Sequence, residues 1–221
     1  MRNLKIVFLA MLIFCAQNFR SQNVLSPEKV FNLYFTSFIN YDDTAVKELN
    51  SYTINFLGKN NTYTEKMEDL YQKKTEDLTR TFLSNLPVNV AASCRTEAQA
   101  YFSALMGNFR NAKYMIKSVK SISHPELKDQ EITEIRYDIS FKVPSVNSEI
   151  NIGDLKNIGE GEMRKYLIDA TARLKKADKT VSEEQTFNLY QAKYGSDTYY
   201  WNSGPQELYW EANRFYFQNI K

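Results

Sequence analysis

EITEIRYDISFKV, residues 131–143, alternates apolar and polar side chains without a break from Glu134 to Val143. Ile135, Tyr137, Ile139, Phe141 and Val143 fall on one side of an extended chain, and Glu134, Arg136, Asp138, Ser140 and Lys142 on the other. A sustained period of two marks a strand with one face in a core and one in water, the usual condition of an antiparallel sheet. Upstream, KYMIKSVKSI (113–122) is rich in β-forming residues, and SHPELKDQ (123–130) reads as a loop, so the two segments are expected to pair antiparallel. The single histidine, His124, sits in that loop beside Pro125 and is read as an exposed turn residue rather than a general base.

The sequence before this strand has a different period. Ser26-Pro27-Glu28 combines a hydroxyl N-cap, a proline suited to the first helical position and an acid where the helix dipole favours it. Behind it Phe31, Phe35 and Phe38, flanked by Val30, Leu33 and Tyr34, form a wide apolar stripe. Asp42 and Asp43 end this helix and cap a second, with Val46, Leu49, Thr53 and Leu57 inward and Gly58 at its C-cap. A third helix is expected over 65–86, with Met67, Leu70, Tyr71, Leu78 and Phe82 on one face, ended by Pro87. A fourth starts at Thr96 and turns Ala98, Tyr101, Phe102 and Leu105 inward.

Beyond Val143 the order changes again. Residues 144–161 read as a long loop, followed by an amphipathic helix marked by Met163, Tyr166, Leu167, Ala170, Leu174 and Ala177. SEEQTFNLYQAKYG (182–195) carries conflicting signals. Ser182 with Gln185 resembles a capping box, but the β-formers and the alternation of Tyr190, Ala192 and Tyr194 favour a strand, which is the preferred reading. LYWEANRFYFQNI (208–220) is read as a hairpin, two aromatic runs around a turn in which Asn213 adopts left-handed geometry. The fold class is therefore α+β: N-terminal helices (27–108) packed on a curved antiparallel sheet (112–221), with a loop and helix insertion at 144–178, in one domain from residue 22 to 221.

Helices first, then a long antiparallel sheet closing in the aromatic NRFYFQNI, is an order that resembles the nuclear-transport-factor-2-like superfamily. There a curved sheet wraps a long first helix and the cone between them holds a pocket. The similarity covers about residues 26–221, with Ser26 to Tyr41 similar to the family's first helix and Arg214 to Ile220 to its closing strand. The extra helix at 65–86 and the insertion at 144–178 depart from that pattern. The superfamily includes isomerases, dehydratases and many non-catalytic domains, so the resemblance implies a pocket without implying a reaction.

Few chemistries find their residues here. One histidine and two cysteines exclude metal sites built from His and Cys clusters, and no GxSxG, Walker or GxGxxG pattern is present. Cys94 precedes a helix beside Arg95, a setting that favours a thiolate, but without a base it reads as a small buried apolar residue. The acid pairs Asp42 with Asp43 and Glu207 with Glu211 are more simply a helix stop and cap, and a wet face and a turn. The aromatic run 197–219 is the remaining candidate surface. Tyr199, Tyr200 and Trp201 cannot all point inward from one strand, and with Tyr209 and Trp210 they are the expected binding residues. No catalytic, cofactor or metal residues are assigned, and no cofactor is expected. The leading expectation is a non-enzymatic domain binding a small apolar ligand, a glycan or a protein. The alternatives are a small lyase, isomerase or hydrolase, and a structural or inhibitory partner of another exported protein.

The first residues bear on where the protein works. Arg2 and Lys5 precede an apolar run from Ile6 to Ala16 and then polar Gln17, Asn18 and Arg20, the order of a secretory signal peptide. The run falls well short of the roughly 20 residues a spanning helix needs. Lipidation at Cys15 is disfavoured by bulky Phe14 where such signals carry a small residue. Removing residues 1–21 takes Arg2, Lys5 and Arg20 and leaves 25 basic against 26 acidic side chains, with no basic run to attract nucleic acid. Cys94 then has no internal disulfide partner, so packing alone must stabilise an exported fold. Intact mass of the exported protein should show a chain beginning at Gln17 or Gln22; retention of residues 1–21 would contradict the leader.

Overall fold

Helix α1 (Pro27–Phe38) begins where local chemistry places it, the Ser26 hydroxyl accepting from the Lys29 amide at 3.4 Å. Its buried residues are Val30, Phe31, Leu33, Tyr34, Phe35 and Ser37. These coordinates are a computed structural model describing residues 24–123, 130–146 and 157–220. The expected leader, Cys15, His124 and most of the 144–161 loop lie outside the described residues.

The Asp42 carboxylate caps helix α2 (Asp43–Leu57), accepting from the amides of Thr44 and Ala45 at 2.7 and 2.9 Å. Asp43 serves the next element: its carboxylate accepts from the Met67 amide at 2.7 Å, at the first turn of helix α3 (Met67–Leu83). The acid pair is thus occupied with two helix N-termini. A 3-10 turn (Lys59–Asn61) links α2 and α3. A short helix α4 (Val88–Ser93), not anticipated from the sequence, follows Pro87 and leads into α5 (Arg95–Arg110), which buries Ala98, Tyr101, Phe102 and Leu105 as expected. Cys94, at the α4–α5 junction, is fully buried with its sulfur 3.6 Å from the Glu160 carbonyl.

Strands β1 (Lys113–Ser123), β2 (Glu131–Val143), β3 (Lys179–Tyr194) and β4 (Asp197–Trp201) form one antiparallel sheet in that order. Ile135, Tyr137, Ile139, Phe141 and Val143 are all buried, so the deciding alternation holds. In register, Tyr114 faces Ile139, Ile135 faces Phe187 and Tyr137 faces Gln185. The β1 and β2 pairing carries an irregularity between Ile116 and Ser118. Residues 182–194 are strand, and a two-residue turn between Tyr194 and Asp197 uses Gly195 at φ 64°, where a glycine is at ease. Helix α6 (Glu160–Lys175) lies between β2 and β3, packed on α5 and α4.

The C-terminus differs from the expectation. Residues 208–220 are not a hairpin; Gln206–Asn219 form helix α7, and the sheet ends at Trp201. Its buried residues, Leu208, Ala212, Phe215 and Tyr216, recur at four, three and one, which is a helical stripe that the density of aromatics obscured. EANR holds no glycine to make a tight turn, and Ala212 is a strong helix former. The segment similar to a closing strand is therefore helical, and only the coarser topology stands: α+β, with N-terminal helices on a four-strand antiparallel sheet.

Helix α1 touches all four strands and α7. At the centre of that contact the Phe31 ring lies 4.7 Å from Tyr137, 5.0 Å from Tyr114 and 5.7 Å from Phe187, centroid to centroid. Helix α7 completes the layer, Phe215 and Tyr216 meeting Phe141 at 6.0 and 5.0 Å, while the Tyr216 hydroxyl donates to the Leu105 carbonyl of α5 at 2.8 Å. Phe31→Ala should cost about 3–5 kcal/mol of unfolding free energy in urea denaturation; a loss below about 1 kcal/mol would contradict a central role for this ring.

Candidate functional site

Where α1 ends, the backbone does something unusual. Ile39 and Asn40 amides both donate to the Phe35 carbonyl, at 2.9 and 3.3 Å, and the next residue, Tyr41, has φ 54°. Tyr41 is the one non-glycine residue with positive φ among those described. This left-handed helix exit is normally taken by glycine or asparagine. A bulky residue there carries strain of about 1–3 kcal/mol and persists only when its surroundings hold it.

Arg110, the last residue of α5, supplies the hold. Its Nε donates to the Asn40 carbonyl at 3.0 Å and its Nη2 to the Tyr41 carbonyl at 3.4 Å. In return the Asn40 side-chain amide donates to the carbonyls of Arg110 and Ala112, at 2.7 and 3.1 Å. The guanidinium also pairs with Glu68 at 2.7 Å and lies 4.8 Å above the Tyr71 ring, whose edge meets Tyr41 at 5.4 Å. Hydrogen bonds from Gln72 and Arg110 hold the Glu68 carboxyl below its ordinary value. A single arginine thus fixes the strained turn, the start of α3 and the ring beside Tyr41.

The ring so positioned forms one wall of a cleft of about 580 Å³. Phe38 and Tyr41 come from the end of α1, and Tyr63 from the segment before α3. Met67, Leu70 and Lys74 come from α3, and Tyr209 and Trp210 from the first turns of α7. Tyr63 is held by a two-point amide pair, the Asn50 side chain accepting from its N–H at 2.8 Å and donating to its carbonyl at 2.7 Å. Its ring meets Phe38 edge-on at 4.8 Å. The Lys74 ammonium lies 5.8 Å from the centre of the Tyr209 ring, a cation-π arrangement. Burial, then the neighbouring Tyr209, push the Tyr41 hydroxyl upward, and burial does the same to Tyr63. Both stay neutral hydrogen-bonding groups rather than bases.

The five expected binding residues are divided by the structure. Tyr209 and Trp210 border the cleft, and Trp210 is 66% exposed at its rim. Trp201 faces a smaller cavity of about 250 Å³ with Tyr34, Asn60, Asn61 and Asn202, and Thr62 and Tyr63 border both cavities. Tyr199 is a correction: it is 1% exposed, stacked at 4.8 Å on Phe56 and 6.0 Å from Tyr52, so it belongs to the core. Helix α2 packs over it, which the sequence of β4 alone does not reveal. Tyr200 is half-buried, its amide donating to the Tyr52 hydroxyl at 2.8 Å. Glu211 is taken by Arg214 at 2.8 Å, which also reaches Glu183, and Glu207 does not line the cleft.

Sequence reasoning missed Tyr41, Phe38, Tyr63 and Lys74 as neighbours of Tyr209 and Trp210. A bulky residue at a helix exit before an aspartate cap was the one legible sign, at Tyr41. Among the described residues no group of three or more His, Cys, Asp or Glu side chains converges on a common point. No protein family, curated protein or solved structure matches the chain.

Tyr34, Tyr41, Tyr137 and Tyr216 are all pushed well above the ordinary tyrosine value of 10, and Tyr52 up to about 12, with burial the first cause in each. The unfolded chain loses these protons first, so stability is intact below pH 10 and falls above it, by up to about 1.4 kcal/mol per pH unit for each ring. Tyrosinate absorbance should therefore rise together with loss of far-UV circular dichroism above that pH. Ionisation of every tyrosine near pH 10 with the dichroism unchanged would contradict the burial.

Proposed function

We propose that this chain is an exported, non-catalytic domain that takes a small, largely apolar ligand into the aromatic cleft between α1, α3 and α7. The observation that carries the reading is the strained Tyr41. Arg110 and Asn40 hold a non-glycine residue in a left-handed turn, and its ring forms a wall of the cleft. Strain of that kind concentrates at sites with a task. The cleft's size lies within the range of small-molecule sites, and its lining of rings with a few polar groups fits one.

The chemistry of the lining supports binding over turnover. The phenols of Tyr41 and Tyr63 are held neutral, and the rings of Tyr209 and Trp210 offer flat apolar faces. Export rests on the leader-like residues 1–21, and no helix among the described residues is long and apolar enough to cross a membrane. The fluorescent apolar probe N-phenyl-naphthylamine, titrated into the protein, should bind with saturation. Trp210→Ala should weaken it about tenfold, the worth of one good aromatic contact, while Trp201→Ala, at the second cavity, should leave it within twofold. Equal binding by the wild type and Trp210→Ala would sink the cleft as the site.

A further inference from the structure

Lys74 is the feature of the cleft that a purely apolar ligand leaves unexplained. It is half-buried among rings and methylenes, with Leu70 and Leu78 one turn away along α3. No carboxylate among the described residues is in ion-pair contact with its ammonium. Asp77, three residues on, is taken by Arg80. Arg110, over the neighbouring Tyr71 ring, is committed to Glu68 and to the Tyr41 turn. One carboxylate, Glu65, shares the lining, but it is exposed on the segment leading into α3. Lys74 instead lies over the Tyr209 ring, so an anion held by the ammonium would lie beside that ring.

We propose that the ligand is an amphiphilic organic anion, its apolar body against Tyr209 and Trp210 and its acidic group on Lys74. The inference rests on the cleft being a ligand site and adds the charge of the ligand. An acidic head gives the ammonium the partner that the protein withholds, in a charge-assisted hydrogen bond stronger than a neutral one. The neutral phenols of Tyr41 and Tyr63 line the same cleft without opposing the charge.

Two probes of similar ring size separate the two claims: neutral N-phenyl-naphthylamine and anionic anilinonaphthalene sulfonate, titrated into the mature full chain. Wild-type protein should prefer the anionic probe, and added salt should weaken that probe alone. Lys74→Gln should lower its affinity about fivefold or more while leaving the neutral probe within twofold, and Lys74→Arg should restore most of the loss. Glu65→Gln should leave or improve it. Displacement by dodecanoate or by naphthoate tells an aliphatic from an aromatic body, and either supports the proposal. If Lys74→Gln changes both probes equally or neither, the anionic ligand is overturned while the cleft stands. If neither probe binds the wild type, the cleft itself is refuted.

Discussion

The structure depends on the contact between the first helix and the sheet. Phe31 and Phe35 on α1 press against Tyr114 of β1 and Tyr137 of β2, and Phe31 and Tyr34 against Phe187 of β3. One helix thereby covers strands that are distant in the chain, and its ends are placed by that contact. Offset and edge-on ring pairs of this kind add specificity of position to the burial of apolar surface. With a buried free cysteine and no disulfide among the described residues, packing of this quality has to hold the fold without cross-links.

From that anchor the cleft follows by local constraints. The C-terminal end of α1, held over the sheet, must be joined to α2 by a sharp turn, and Tyr41 makes it at φ 54°. The turn survives because Arg110 and Asn40 bond reciprocally between the α1 exit and the α5 terminus. Helix α7 returns across β2 and β3 to α1, bringing Tyr209 and Trp210 to the same opening. Three segments far apart in sequence thus meet at one concavity, each for a reason rooted in packing.

What was legible beforehand was legible for local reasons. The alternation from Ile135 to Val143, the Ser26 and Asp42 caps and the stripe of α5 each depend on residues within a few positions of one another, and each is present. The terminal segment carries opposed signals: Phe215, Tyr216 and Phe217 suit strands by propensity, whereas the buried spacing of Leu208, Ala212, Phe215 and Tyr216 suits a helix. Propensity lost to period once α7 had the sheet and α5 to pack on. Of the candidate site, Tyr209 and Trp210 were visible as an aromatic pair, but their companions on α1 and α3 lie more than a hundred residues away.

The sequence by itself determined the α+β class, the wet and dry faces of the long strand, the capped starts of the first two helices and an N-terminus with the features of an export leader. Those properties are written in periods of two and of three to four, in caps and in charge order, all short-range. Only the tertiary structure decided that Tyr199 is core, that the C-terminus is a helix and that Tyr41, Tyr63, Lys74, Tyr209 and Trp210 share one cleft. Those outcomes turn on which distant surface covers a side chain, and the burial of a ring is a property of its neighbours rather than of its own position in the chain.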